Sequence, residues 1–445
     1  MNILSIETSC DETAISIVNA NDTGNPDFKI LGNTVATQIE LHAQYGGVFP
    51  MMAKREHSKN IIPVLIETLK KAGIYSEVQN AEALPIEIEN LLDREPELLV
   101  LCKEHLPYIG KPDVDVIVVT SGPGLEPALW VGVNFAKVLG MLWGIPVVPV
   151  NHMEGHIMSP ILTAEGTINV NFPALALLIS GGHTELVLVN NWMEYKKIGQ
   201  TRDDAVGEAF DKVARMMNLP YPGGPQISKL AEEWRSSEAD RENSTSRRSS
   251  QADRAEKSNF QPENMRTEVS TISSEAKIHL PRPMLHSNDY DFSFSGLKTA
   301  VLYAIQDIQY HLRPSDTSPY TRVRENNQKP ILLSEEIKKQ IACEFENAAT
   351  EVLLTKTFKA IDEYGIQTLL IGGGVAANKF IKKSFMEKQI SEYPNLKILL
   401  PEKDLSTDNA LMIAIAGYYR YKQIMSTNKK FPLDFKANGN WDVSS

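Results

Sequence analysis

Two histidines four residues apart, His152 and His156, stand just beyond the apolar run Val147-Val148-Pro149-Val150. If a helix begins near Asn151, both imidazoles project from one face, one turn apart. So placed they can chelate one metal ion and leave positions for a carboxylate and for substrate. Packing or hydrogen bonding at a strand end would account for either histidine equally well. A zinc-protease pattern is not present, because Met153 stands where that motif needs glutamate and Glu154 comes one residue too late. Asp408 precedes the apolar helix expected over 410–419, with Ser406 or Thr407 expected as its cap and Asp408 in its first turn. Capping alone would explain that aspartate, yet it is also the best third ligand if the closing segment folds back to the histidines.

Other residues could do chemistry. The turn Glu7-Thr8-Ser9-Cys10-Asp11-Glu12 could hold phosphate, metal or water, or be an ordinary solvated turn. Ser121-Gly122-Pro123-Gly124, Ser180-Gly181-Gly182-His183-Thr184 and Gly372-Gly373-Gly374 each follow a strand-like run. Glycines there let backbone approach a nucleotide, although they also serve as plain punctuation. Asp204, Glu208 and Asp211 are expected on one face of a helix within 203–217, either solvated or accepting hydrogen bonds from ribose. Lys54, Arg55, His57 and Lys59, in a helix expected over 47–72, are the best local candidates for touching a polyanion, against the commoner reading of a solvated face. Lys298 could meet an anion or simply be exposed.

The elements that must position these residues repeat themselves. Residues 2–18 read as a hairpin, and 114–143 as strand, glycine turn and helix. Residues 174–189 and 368 onward give the same two units again. The repetition implies two related α/β lobes with a cleft between them. Residues 76–112 read as a helix-prone insertion and 312–330 as a polar linker. Residues 232–276 carry too few large apolar side chains to offset ordering entropy and are expected to be a disordered insertion.

A chain of 445 residues argues for more than one core, and 42% hydrophobic with 23% charged residues is an ordinary soluble composition. No apolar run approaches a membrane span and the start lacks a signal-peptide pattern, so a cytoplasmic protein is expected. Cys10, Cys102 and Cys343 form no Cys-x-x-Cys pair, which fits a reducing compartment and disfavours a cysteine metal site. A net charge of −11 argues against a broad basic nucleic-acid surface, so a nucleic-acid partner would be met by local patches or through another protein.

Taken together, Ile6-Glu7-Thr8-Ser9-Cys10-Asp11-Glu12-Thr13, His42-Ala43-Gln44-Tyr45-Gly46-Gly47-Val48, Asn151-His152-Met153-Glu154-Gly155-His156, Ser180-Gly181-Gly182-His183-Thr184, the run from Asp203 through Asp211, Tyr221-Pro222-Gly223-Gly224-Pro225, Asp291-Phe292-Ser293-Phe294-Ser295-Gly296-Leu297-Lys298-Thr299 and Gly372-Gly373-Gly374-Val375-Ala376-Ala377-Asn378 closely resemble the TsaD family of tRNA adenosine threonylcarbamoyltransferases. The resemblance runs in family order over nearly the whole chain, with 76–112 and 232–276 outside it. It implies an α/β, actin-like ATPase (ASKHA) fold of two duplicated RNase H-like lobes around a central cleft. The first lobe would span 1–151 and be completed by about 408–425; the second would span 152–407.

The resemblance also implies a reaction, the transfer of threonylcarbamoyl from threonylcarbamoyl-AMP to the adenosine 3′ of the anticodon in tRNAs reading ANN codons. Carried over position by position, His152, His156 and Asp408 match metal ligands, with Fe(II) or Zn(II) both suited to the set. Leu178, Ile179, Ser180, Gly181, Gly182, Asp211, Gly224 and Asn378 match substrate-binding positions, and no residue stands out as a general base. TsaB-like and TsaE-like partner proteins and a separate synthase supplying the adenylate are implied as well. One departure, Glu126-Pro127-Ala128-Leu129-Trp130 in place of smaller apolar residues, bears on the turn before it. Two other functions remain to be weighed, a zinc metalloendopeptidase and a regulatory ATPase of the same fold.

Overall fold

The computed structural model describes residues 1–21, 26–79, 82–163, 166–252, 278–311, 333–402, 405–427, 431 and 434–445. Its first half contains β1 (Asn2–Glu7), β2 (Glu12–Ala20), β3 (Phe28–Thr37), α1 (Ile39–Ala43), α2 (Pro50–Lys71), α3 (Ile86–Leu91), α4 (Pro96–His105), β4 (Val116–Gly122), α5 (Glu126–Trp143), β5 (Val147–Asn151) and α6 (His152–Met158). A short ribbon, β6 (Leu162–Thr163) and β7 (Gly166–Thr167), leads to β8 (Ala174–Ile179), β9 (Thr184–Asn191), β10 (Glu194–Gln200), α7 (Val206–Met216), α8 (Gly223–Ala252) and α9 (Ser295–His311). The chain closes with α10 (Glu335–Tyr364), β11 (Thr368–Gly372), α11 (Lys379–Glu392), β12 (Lys397–Leu399) and α12 (Ala410–Ser426).

Two five-stranded sheets have the same topology, β3-β2-β1-β4-β5 and β10-β9-β8-β11-β12. In each, the first three strands of the chain order run antiparallel and the last two join in parallel. The hairpin and glycine-turn units repeated in the sequence are therefore equivalent pieces of two equivalent sheets. Strands covered on both faces read as continuous apolar runs. In β8, Ala174, Ala176 and Leu178 face an inner core, while Leu175, Leu177 and Ile179 face an outer one. The period of two does the same in β4, where Val116 and Val118 point inward and Ile117 and Val119 outward.

The inner core lies between the sheets and is filled by Met153, Ile157 and Met158 of α6 and by Leu411 to Ala416 of α12. Gly155 is where these two helices touch, because a Cβ there would come 2.9 Å from both Met412 and Ile413. The outer core of the first sheet also contains Leu84, Ile88, Leu92, Leu98, Cys102 and Leu106, so α3 and α4 are built into that core.

The disordered insertion expected over 232–276 is corrected at its start. α8 continues through it, with Trp234 buried and Arg235 held 2.7 Å from the fully buried Glu346. One aromatic and one charge-paired arginine anchor a stretch that is otherwise polar. Residues 253–276 of that segment, and the linker expected over 312–330, lie outside the described residues. Among the described residues no helix is long and apolar enough to cross a membrane.

Candidate metal and substrate site

β5 delivers the chain to Asn151, whose side chain accepts a hydrogen bond from the Met153 amide at 2.9 Å and so starts α6 at His152. One turn apart, the two imidazoles lie edge to face with ring centres 4.6 Å apart. Asp408 Oδ1 comes within 3.4 Å of His152 Nε2 and 3.2 Å of His156 Nε2. One ligand atom from each of the three residues falls within 4.8 Å of the others. Asp408 is available because Asn409, and not Ser406 or Thr407, caps α12, accepting from the Met412 amide at 3.0 Å. The aspartate thus precedes the helix and does not sit in its first turn.

The donor set fits a divalent ion. His156 is 1% exposed; its Nδ1 has no hydrogen-bond partner, and its Nε2 has only the Asp408 carboxylate, 3.2 Å away and off the direction of a good hydrogen bond. A buried, unsatisfied imidazole beside a second imidazole and a carboxylate is what a metal ion would complete. Burial pulls His152 down, but the carboxylates of Asp408 and Glu7 outweigh it and hold the imidazole well above its ordinary range. Burial likewise raises Asp408, yet His152 dominates and leaves it well below the carboxylate range. Burial and the neighbouring His152 lower His156. A metal ion would displace the proton from His152, since ligation needs the neutral imidazole.

Behind the histidines stands a residue whose role the sequence did not reveal. Glu7, fully buried at the carboxyl end of β1, places Oε2 3.0 Å from His152 Nδ1 and accepts from Thr120 Oγ1 at 2.6 Å. Its available signal was a carboxylate ending a buried apolar strand. Glu154 does something different. Arg420 grips its carboxylate with Nε and Nη2, both at 2.6 Å, and packs its guanidinium 4.9 Å from the centre of the Trp441 ring. The peptidase reading would need this glutamate as a base at the metal, and its partner lies elsewhere. Removing Arg420 would strand a buried carboxylate. Arg420→Ala is expected to cost ~3–5 kcal/mol, measured as a lower urea midpoint with an unchanged slope.

The proposed substrate positions gather around the carboxyl ends of β8 and β11, the edge at which open α/β sheets take ligands. Leu178 and Ile179 are buried in the strand itself, while Ser180, Gly181 and Gly182 form the turn that follows. A Cβ added to Gly181, Gly182, Gly224 or Gly374 would meet nothing within 4 Å, so these backbones border free space. Asp211 accepts from the Gly223 amide at 2.7 Å, and burial raises its pKa despite the Gly223 and Gly224 amides. It therefore fixes the loop bearing Gly224. Asn378 caps α11, its Oδ1 accepting from Phe380 and Ile381 at 2.9 and 3.0 Å. Its amide nitrogen donates to Glu346 and Ser228 at 2.7 and 2.8 Å, so the side chain is already committed within the protein.

Three expectations change. Asp204, Glu208 and Asp211 are not three residues of one helix face, because Asp204 lies before α7. Asp204 pairs with Lys212 and Lys298, Glu208 is exposed and pairs with the same Lys212 at 2.7 Å, and Asp211 turns to Gly223. Lys298 is accordingly neither free for an anion nor simply solvated. The basic cluster on α2 is neutralised locally: Lys54 meets Glu95 at 2.9 Å, Arg55 meets Glu97 at 3.5 Å, and Lys59 meets Glu56 at 2.5 Å. His57 is buried and bonded to Thr13 and Cys10.

The segment 434–445 closes one side of the site. Asn438 donates to Ser121 O at 2.7 Å, Asn151 Nδ2 donates to Trp441 O at 3.1 Å, and Asp442 pairs with Lys197 at 2.5 Å. With Pro123, Met153, His183 and Glu185 it lines a small, half-open polar pocket of about 190 Å³. Gly122 has no room for a side chain, since a Cβ would lie 1.9 Å from Asn438 O. Past that turn, Glu126 opens α5 and Trp130 Nε1 donates to it at 3.4 Å. Burial, then His152 and His156, lower His183 to about 4. Its ring proton signals should therefore titrate near pH 4 in NMR of the metal-free protein. Because the unfolded chain protonates first, this group should cost stability as pH falls from about 6.5 towards 4.

Comparison with known proteins places the chain in a family. The family model for TsaD, tRNA N6-adenosine threonylcarbamoyltransferase, matches residues 29–80, 107–253 and 249–415. The chain belongs to the TsaD family. A family relative from Thermosipho africanus is 36% identical over 96% of this chain and 97% of its own length. Another, from Persephonella marina, is 35% identical over 96% of this chain and 92% of its own. Both carry the name tRNA N6-adenosine threonylcarbamoyltransferase. Among solved structures, full-length HypF in its phosphate- and nucleotide-bound form overlaps 96% of this chain and 47% of its own, at a TM-score of 0.43 and 12% identity. That overlap is too loose to bear on the argument. The TsaD model leaves 81–106 unmatched, the stretch that contains α3 and α4, but it matches across 232–276, which corrects the expectation that this segment lies outside the family pattern.

Proposed function

We propose that this chain transfers the threonylcarbamoyl group of threonylcarbamoyl-AMP to the exocyclic amine of the adenosine 3′ of the anticodon, in tRNAs reading ANN codons. Membership of the TsaD family along nearly the whole chain supports the reaction. The observation that carries the site is the meeting of His152, His156 and Asp408, from segments about 250 residues apart, with buried His156 Nδ1 unpartnered and Nε2 turned to the Asp408 carboxylate. In the reaction the adenosine nitrogen forms a bond to the carbamoyl carbon and loses a proton. The carbon–oxygen bond to AMP breaks, and AMP leaves with the electron pair.

His152, His156 and Asp408 would hold one Fe(II) or Zn(II) ion. When bound, that ion supplies Lewis-acid polarisation of a carbonyl. Gly181, Gly182 and Gly224 border the free space suited to the adenylate, Ser180 opens the turn that carries the first two, Leu178 and Ile179 hold the strand beneath it, and Asp211 fixes the Gly223–Gly224 backbone. Asn378, with its side chain committed, would contribute through backbone or by holding the α11 end in place. Positioning amine and carbonyl together can supply much of the rate.

In this reading 1–151 with about 408–425 form one RNase H-like lobe and 152–407 the other, in an actin-like ATPase arrangement around a cleft. The identical strand orders and the packing of α12 beside α6 support that division. TsaB-like and TsaE-like proteins would be partners in the cytoplasm, with a separate synthase supplying the adenylate. The test is nucleoside analysis of tRNA incubated with threonine, bicarbonate, ATP, the partner proteins and this chain. Threonylcarbamoyladenosine should accumulate only when the chain is present. Its absence, with the partners active alongside a known family member, would refute the proposal.

A further inference from the structure

We infer that Glu7 is a positioning residue for the metal centre, a carboxylate that holds the His152 ring in the orientation and tautomer needed for ligation through Nε2. The inference rests on the metal reading of His152, His156 and Asp408 and extends it to a residue outside the ligand set.

The geometry is that of a carboxylate–histidine pair behind a metal site. His152 has two ring nitrogens facing opposite ways. Nε2 faces Asp408 and the space shared with His156, whereas Nδ1 faces Glu7 Oε2 at 3.0 Å and Ser9 Oγ at 3.2 Å. A ligating imidazole must present a lone pair at one nitrogen, so its proton belongs on the other. A carboxylate behind Nδ1 accepts that proton's hydrogen bond and makes Nε2 the more basic ligand.

Glu7 is itself held in place. It is fully buried, Thr120 Oγ1 donates to the same Oε2 at 2.6 Å, and the Ser9 amide donates to Oε1. Neither of its oxygens reaches the space between the histidines in hydrogen-bonding contact with His156, so it is not a fourth member of the cluster. β1 and β4 run side by side in parallel, which is why Glu7 at the end of one strand meets Thr120 near the end of the other. A buried carboxylate with no cation other than His152 among its bonded partners has little reason to be there structurally. Isolated carboxylates are costly to bury. Orienting His152 gives it one.

The test uses the full chain and zinc alone as probe, with a competing chelator to report affinity. Glu7→Gln keeps the shape and removes the charge; Glu7→Ala removes both. Both should weaken zinc binding by about 10–100-fold, as removal of such outer partners typically does, with glutamine the milder. Cobalt(II) loaded in place of zinc should show a shifted visible absorption band in Glu7→Gln, which a general loss of stability would not produce. Thr120→Val, which loosens Glu7 without touching His152, should weaken zinc in the same direction by less. Native zinc affinity and an unchanged cobalt spectrum in Glu7→Gln, while His152→Ala loses zinc, would overturn the role of Glu7 alone. Full zinc stoichiometry in His152→Ala would overturn the metal centre and this inference with it.

Discussion

Replacing His152 or Asp408 by alanine is expected to abolish stoichiometric metal binding and to lower threonylcarbamoyl transfer by about 100-fold or more, since metal polarisation of a carbonyl is worth several kcal/mol. The two variants remove different kinds of ligand from different chain segments. His152 is fixed by the start of α6, Asp408 by the segment that leads into α12. If either variant keeps full metal content, that residue is not a ligand. His156→Ala should behave in the same way, with an added effect on packing because its side chain is 1% exposed. Inductively coupled plasma analysis of each purified variant gives the stoichiometry, and tRNA nucleoside analysis gives the transfer.

Gly372→Ala is expected to damage stability and the metal site together. A Cβ at this position would lie 2.1 Å from the carbonyl oxygen of His156 and 2.9 Å from its carbonyl carbon. Both are backbone atoms, so no rotamer change relieves the contact. Either β11 or α6 must move, and α6 carries both histidines. Overpacking of cores costs about 1–3 kcal/mol when side chains can yield; between two backbones the loss should reach ~3 kcal/mol or more. Chemical denaturation measures the stability and zinc competition the site, and both should fall. Wild-type values for both would mean that the sheet ends and the metal helix are not in this contact.

This contact joins the two halves of the account. Gly372 begins the glycine turn beside the proposed adenylate space, and its neighbour Gly373, at φ +91°, backs onto Ile179 O of β8. The metal helix and the glycine turns are therefore one assembly.

Much of that assembly was legible in the sequence. The duplicated sheets follow from repeated apolar runs and glycine turns, because period two and tight turns are local properties. The two histidines four apart were legible for the same reason. What escaped depended on residues distant in the chain. Lys54 and Arg55 looked like a polyanion patch because Glu95 and Glu97, their partners, lie some 40 residues on. Glu7 resembled any acid in a turn until β1 was set beside β4. Ser406, Thr407 and Asn409 are all residue types that cap helices, and the point at which the chain turns helical, after Asn409, selects the last. Asp204, Glu208 and Asp211 have helical spacing, yet α7 begins after the first of them. Trp234 and Arg235, set among polar residues, hid a continuation of α8 that pairing with Glu346 stabilises.

The most direct test of the central claim, that this chain performs a metal-supported threonylcarbamoyl transfer at His152, His156 and Asp408, is a single-turnover measurement. Threonylcarbamoyl-AMP prepared separately is mixed with tRNA, the partner proteins and the chain in three forms: metal-filled, stripped by chelator, and refilled. The account predicts threonylcarbamoyladenosine from the filled and refilled forms and little from the stripped one. Full-rate transfer by the stripped chain, with its metal content verified as nil, would contradict it.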